Sequence, residues 1–313
     1  MGESTVLSDI PELPDEIIQA GLNGELVLFV GAGISRLLEL PSWNELAQMV
    51  LHSLQKKGWL NFSELEQLKH LDPKKQLSIA RFITEEKKQD FDLTQYFKVK
   101  TESNSIYKLI NEIGCTCVTT NYDECLIPKL DESKSDGAFS IKPKKVRRIF
   151  DKNEFFAKYL DEPGTVIHLH GAISSRESMV VTTKEYLKHY DCESVKHILR
   201  ELFAKKTVLF IGYGLEETEI LEHILRSGAA TESTKVRQRF ALQGYFRSHE
   251  SLYKKLHQYY LESFGVHLIG FIRDNNDFAQ QENIFKNWTP QIQIRKPSLA
   301  SDINRINEVL GND

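Results

Sequence analysis

Leu26-Val27-Leu28-Phe29-Val30-Gly31-Ala32-Gly33-Ile34-Ser35 is the stretch whose reading decides the fold. Its first five residues are apolar without interruption, the pattern of a strand buried on both faces, and such strands belong to parallel sheets covered by helices on either side. Gly31 and Gly33 permit a tight turn after that strand and a close approach of the backbone to a phosphate at the start of the next element. The nucleotide fingerprint Gly-x-Gly-x-x-Gly is incomplete, because Arg36 holds its last position. On its own the segment fits a structural turn as well as a nucleotide site.

Three further apolar runs end on short clusters of the same kind. Asn121-Tyr122-Asp123 follows residues 115–120, His170-Gly171 follows residues 165–169, and Gly212-Tyr213-Gly214 follows residues 207–211. Ligands of open parallel sheets bind outside the carboxyl ends of the strands, where all four clusters would lie, so one shared site is the economical reading. Additional strand patterns at 179–182, 239–243 and 266–271 alternate with helical ones. The alternation predicts an α/β fold, a Rossmann-like parallel sheet flanked by helices.

Residues 14–24 read as a short helix entered through Pro14 and ended by Gly24. Ser42-Trp43-Asn44-Glu45 has the capping-box pattern and opens a helix through Leu46, Val50, Leu51 and Leu54. From about residue 60 to 113 the apolar spacing is helical throughout, too long for a simple crossover, which predicts a smaller helical lobe inserted after the first strand and leaning over the crevice. Helical patterns recur at 192–204, 217–225 and 250–261. The expected organisation is a single domain over 1–313, with a Rossmann core at about 14–58, 114–134 and 162–272, a lobe at 59–113, and a helical tail at 296–313. Leu299, Ile303, Ile306 and Leu310 of that tail form one stripe suited to docking on the core or on another subunit.

Composition narrows the function classes. Of 313 residues 41% are hydrophobic and 27% charged, with a net charge of -4, the balance of a soluble globular chain with no general attraction for polyanions. Lys142-Pro143-Lys144-Lys145-Val146-Arg147-Arg148 is the densest charge run, but it lacks interleaved aromatics or a recognition-helix pattern, so a solvated loop is expected and direct nucleic-acid binding is not. No apolar stretch reaches the ~20 residues of a membrane span and the amino terminus lacks a basic region followed by an apolar one, so a cytoplasmic protein without membrane attachment is expected. Cys115, Cys117, Cys125 and Cys192 fit neither a disulfide framework nor a paired zinc site. Cys115 and Cys117 are two apart and would share one strand face as small buried hydrophobes.

Two residues stand out chemically. The Asn121 side-chain amide can both donate to and accept from sugar hydroxyls or an ordered water, although a lone Asn-Tyr-Asp also serves as a cap or turn. His170 is the candidate proton acceptor, because imidazole ordinarily titrates near pH ~6.5, and Gly171 leaves space beside it. His168 points to the same strand face, yet no third ligand stands at a metal-site spacing, so no metal site is predicted.

Gly-Ala-Gly-Ile-Ser at 31–35, Thr-Thr-Asn-Tyr-Asp at 119–123, His-Gly at 170–171 and Phe-Ile-Gly-Tyr-Gly at 210–214 occur in the order found in sirtuins. Over about residues 25–272 the chain resembles the bacterial sirtuin-like defence proteins more than the protein deacetylases. The resemblance implies a Rossmann-type domain that binds NAD, with Gly31, Ala32, Gly33 and Ser35 holding the phosphates and nearby ribose. It implies that Asn121 contacts the nicotinamide ribose, that Asp123 meets the carboxamide, that His170 is the catalytic base, and that Gly212 and Tyr213 line the phosphate and adenosine side. Tyr122 replaces the usual small aliphatic residue, and Glu39-Leu40-Pro41-Ser42-Trp43 lacks the Asp-Phe-Arg that follows the corresponding proline in sirtuins. The four-cysteine zinc module of the deacetylases is also missing, so no zinc is expected.

With water rather than an acyl-lysine as acceptor, the resemblance implies an NAD glycohydrolase that releases nicotinamide and ADP-ribose, an effector of antiphage defence acting by NAD depletion. It further implies control through homo-oligomerisation or a regulatory partner, such as a ring-forming translocase ATPase. The alternatives are an NAD-dependent protein deacylase and a non-catalytic module that binds NAD or ADP-ribose.

Overall fold

The computed structural model describes residues 6–97, 105–129, 147–228 and 238–295. The expected tail helix at 296–313 and residues 142–146 of the basic run lie outside the described residues. Seven strands form one sheet: β1 (Leu26–Val30), β2 (Thr116–Thr119), β3 (Arg148–Ile149), β4 (Val166–His168), β5 (Thr207–Ile211), β6 (Arg239–Tyr245) and β7 (Val266–Ile272). Their order is β3-β4-β2-β1-β5-β6-β7, and every pairing is parallel. The chain moves from β1 to one side through β2, then crosses to β5 on the other, so the order reverses at β1. That reversal opens the crevice above the carboxyl ends of the strands.

The apolar run of β1 explains why the sheet is covered twice. Val27 and Phe29 enter one core, while Leu26, Leu28 and Val30 enter the other, and none of the five is more than 3% exposed. The first core is completed by α7 (Thr183–Tyr190), α8 (Glu193–Lys205), α9 (Thr218–Gly228) and α10 (Glu250–Phe264). The second is completed by α1 (Asp15–Leu22), α2 (Ala32–Arg36), α6 (Ser105–Ile113) and α11 (Gln280–Trp288). Cys115 and Cys117 are buried in that second core, and all four cysteines are free thiols.

A third core belongs to the lobe. It gathers Leu46, Val50, Leu51 and Leu54 of α3 (Trp43–Lys56), Leu65 of α4 (Phe62–Leu68), and Leu77 and Ala80 of α5 (Pro73–Glu86). The capping box that starts α3 is present: the Glu45 backbone N–H donates to Ser42 Oγ at 3.3 Å and the Ser42 N–H to Glu45 Oε2 at 2.7 Å. The hydrophobic seam differs from the boundaries expected from sequence, because α3 packs with the lobe while Ile106, Ile110 and Ile113 of α6 pack under the sheet.

Residues 179–182 do not form the strand that their pattern predicts. Met179 and Val181 face the lobe core and Val180 the sheet core, which produces a strand-like alternation in a segment without a sheet edge beside it. Its backbone partners include the loop after β4 and two side chains: the Val180 N–H donates to His170 O at 2.9 Å, Tyr122 Oη donates to Val180 O at 2.6 Å, and the Val181 and Thr182 N–H groups donate to Glu185 Oε2 at 3.0 and 2.8 Å. The two-residue edge strand β3 is too short to show a period. Among the described residues no helix is long and apolar enough to cross a membrane.

Phe29 is fully buried between the rings of Phe210 and Tyr213, at 5.0 and 4.9 Å between centroids. Phe29→Ala is expected to lower unfolding stability by about 3–5 kcal/mol in denaturant titrations, through lost burial and an uncollapsed cavity.

Candidate active site at the strand ends

The turns after β1 and β5 touch backbone to backbone. The Gly31 N–H donates to Ile211 O at 2.9 Å and the Gly33 N–H to Gly212 O at 2.7 Å. A Cβ at Gly31 would lie 2.6 Å from Gly212 O, and one at Gly33 would lie 2.8 Å from the same atom. Gly212 itself has a φ of 58°, and a Cβ there would meet the Ile34 N at 2.5 Å. These glycines are therefore required by each other, which is a reason independent of any phosphate. The space expected beside Gly171 is occupied by the backbone of Ser178.

Asn121 is held in one orientation by its neighbours. Ser35 Oγ donates to Asp123 Oδ2 at 2.6 Å, so it is free to accept from Asn121 Nδ2 at 2.8 Å, and the same Nδ2 donates to Gly31 O at 3.0 Å. Both amide hydrogens are thereby used, and Asn121 Oδ1 is left buried without a hydrogen-bond partner among the described residues. Thr119 Oγ1 braces the turn by donating to Val30 O at 2.7 Å and accepting from the Asn121 N–H at 3.0 Å. Asp123 serves this network on both oxygens, since its Oδ1 accepts from the Cys125 N–H at 3.2 Å. A buried acceptor left open costs about 1–3 kcal/mol, so an open Oδ1 in an otherwise satisfied network is the atom suited to a ligand's donor.

His170 is 1% exposed. Its Nε2 meets Tyr190 Oη at 2.8 Å and its Nδ1 meets Tyr186 Oη at 3.3 Å. Burial, reinforced by His189 and the Lys74 ammonium, holds its pKa well below the ordinary imidazole value, so the ring is neutral at pH ~7. His168 is held apart by a different partner, Asn121 O, at 3.1 Å from Nδ1. Among the described residues no three His, Cys, Asp or Glu side chains converge as a metal site.

Ala32, Ser35, Asn121, Asp123, His170 and Glu217 line one cavity, roofed by Trp43 and Leu46 of α3 together with Phe97. It has about 70 Å³ open to the centres of water molecules, room for only a few. The lobe is tied to the helices beside it: Lys74 Nζ donates to Glu219 at 2.7 Å and sits 4.0 Å from the centre of the Tyr186 ring, and Arg81 pairs with Glu185. Gly31, Gly33, Gly212 and Tyr213 are not in the cavity wall. Tyr213 instead packs its ring on Phe29 and Phe210 in the core. A roomier groove of about 770 Å³, between residues 6–16 and β7, includes none of the strand-end clusters.

Sequence reasoning missed Glu217, Tyr186, Tyr190 and Trp43. Glu217 stands five positions after Gly212 among other glutamates, and no spacing separates it from a solvated helix start.

A family model described as a SIR2-like domain matches residues 116–269. Defense-associated sirtuin 2 of Bacillus subtilis is 28% identical over 224 residues, covering 68% of this chain and 20% of that relative. Residues 116–269, just under half of the chain, are thus similar to SIR2-like domains. The chain spans about a fifth of the length of the curated relative it matches. The matched SIR2-like segment holds Asn121, Asp123, His170 and Glu217 but begins after β1, and the glycine turn joins it through the Gly33–Gly212 and Asn121–Gly31 hydrogen bonds.

Ser35→Ala removes the acceptor that pins Asn121 and the donor that Asp123 Oδ2 uses. Loss of about 1–3 kcal/mol of stability is expected in urea unfolding, and an unchanged midpoint would contradict the network.

Proposed function

We propose that this SIR2-like protein is an NAD glycohydrolase, cleaving NAD to nicotinamide and ADP-ribose. The observation that carries the reading is the convergence of an open acceptor, Asn121 Oδ1, and a neutral buried imidazole, His170, on one cavity at the carboxyl ends of the strands. Asn121 Oδ1 accepts from a hydroxyl of the nicotinamide ribose and orients the sugar. The C1′–N bond breaks with its electron pair moving to the pyridinium nitrogen, so nicotinamide leaves neutral. Water then bonds to C1′ and gives its proton to His170, which its lowered pKa keeps available as a base. Ala32 and Ser35 face the phosphate side of the substrate, and Asp123 acts by holding Ser35 and Asn121. The Gly31, Gly33, Gly212 and Tyr213 positions shape the turns behind them.

The name of the Bacillus subtilis relative supports a role in defence, in which NAD depletion by a cytoplasmic effector is triggered by infection. Control through homo-oligomerisation or a regulatory protein, such as a ring-forming translocase ATPase, suits an activity that must stay silent until triggered.

Incubation of wild-type, Asn121→Ala and His170→Ala proteins with NAD, followed by chromatography of the products, tests this function. The wild type is expected to release nicotinamide and ADP-ribose. His170→Ala is expected to lose roughly 10² to 10⁴-fold in turnover while still binding NAD, the range of a positioned general base. Near-normal NAD loss by His170→Ala would contradict the assignment.

A further inference from the structure

Glu217 stands directly before α9 and lines the cavity with Asn121 and His170. Its Oε2 is buried and lies 4.0 Å from His170 Nε2, and the Tyr213 and Tyr190 hydroxyls are its neighbouring donors. A carboxylate this close to an imidazole favours the charged form of the ring. A neutral imidazole has a single N–H, and its two nitrogens already meet the Tyr190 and Tyr186 hydroxyls. Once protonated, the ring carries an N–H on each nitrogen, the one at Nε2 meeting Tyr190 Oη at 2.8 Å with the Glu217 carboxylate 4.0 Å away.

The charges around the ring make such a partner necessary. His189 and Lys74 both disfavour a cation at His170, and burial disfavours it most. Glu217 is the carboxylate that approaches Nε2 within 4.0 Å.

We propose that Glu217 is a positioning residue for NAD hydrolysis: as a carboxylate 4.0 Å from Nε2 it stabilises by its charge the imidazolium formed when His170 takes the proton of the attacking water, while the Nε2–H stays with Tyr190 Oη. The proposal rests on the reading of the cavity as an NAD-cleaving site. In the step, the water oxygen bonds to C1′, the C1′–N electron pair leaves with nicotinamide, and one proton passes from water to His170. Glu217 receives no proton in it.

The state of Glu217 then decides the rate near neutrality. Burial pushes its pKa up to about 7, opposed first by Lys74 from α5 and then by the Tyr213 hydroxyl, with Glu219 adding to the rise and Tyr190 opposing it. Tyr122 and Tyr186 face it as neutral phenols, each with its own pKa held well above the ordinary value. An acid raised in this way is increasingly ionised as pH climbs through about 7, so hydrolysis should rise over the same interval.

Two reactions of one protein separate this role from a structural one. Labelled nicotinamide can return to C1′ in exchange for the original base, and its ring nitrogen has no proton to lose, so exchange forms no imidazolium. Hydrolysis does. Wild-type and Glu217→Gln proteins are compared in both reactions across neutral pH. Glu217→Gln is expected to slow hydrolysis by about 10²-fold, to slow exchange far less, and to abolish the rise through neutrality. Hydrolysis at the wild-type rate with the same pH limb would overturn the proposal, and so would equal loss of hydrolysis and exchange. Wild-type protein that binds NAD but releases no nicotinamide would overturn the reading of the cavity itself, and the role of Glu217 with it.

Discussion

The contact between the turns after β1 and β5 is the constraint on which the site depends. With the Gly33 N–H 2.7 Å from Gly212 O, the two backbones approach more closely than any side chain would allow, and three glycines are the consequence. That approach brings Gly31 O to the Asn121 amide and Ser35 to Asp123. Asn121 is then oriented by elimination, with both hydrogens engaged and its oxygen open. Sheet topology supplies the rest, because β1 is the strand at which the order reverses and the crevice opens.

The electrostatics of the cavity follow from how its groups are buried. Four tyrosines, Tyr122, Tyr186, Tyr190 and Tyr213, lie around His170 and Glu217 with His189 and the lobe, and burial drives both groups toward their neutral forms, the histidine downward and the glutamate to about 7. Lys74 connects this chemistry to the lobe, since the ammonium that pairs with Glu219 also bears on His170 and Glu217.

The parallel sheet was legible in the apolar runs of β1, β2, β4 and β5, because strands buried on both faces leave continuous rather than alternating patterns. The capping box of α3 was legible because it is local. Residues 179–182 misled for a physical reason: a period of two reports an extended segment between two cores, with or without strand partners. The assignment of α3 to the lobe and α6 to the sheet depends on tertiary packing, which helical spacing does not encode. At the site, Asn121 and His170 could be singled out at strand ends. Glu217 could not, since its burial beside His170 exists only after β4, β5 and α9 have come together.

The central claim is that the strand-end clusters form one NAD-cleaving site, and the position of NAD on the His170→Ala protein tests it most directly. A crystal structure of that complex should place a nicotinamide-ribose hydroxyl within hydrogen-bonding distance of Asn121 Oδ1, about 3 Å, with the C1′ atom facing the vacated imidazole position. NAD seated instead in the groove between residues 6–16 and β7, with Asn121 Oδ1 untouched, would contradict the account.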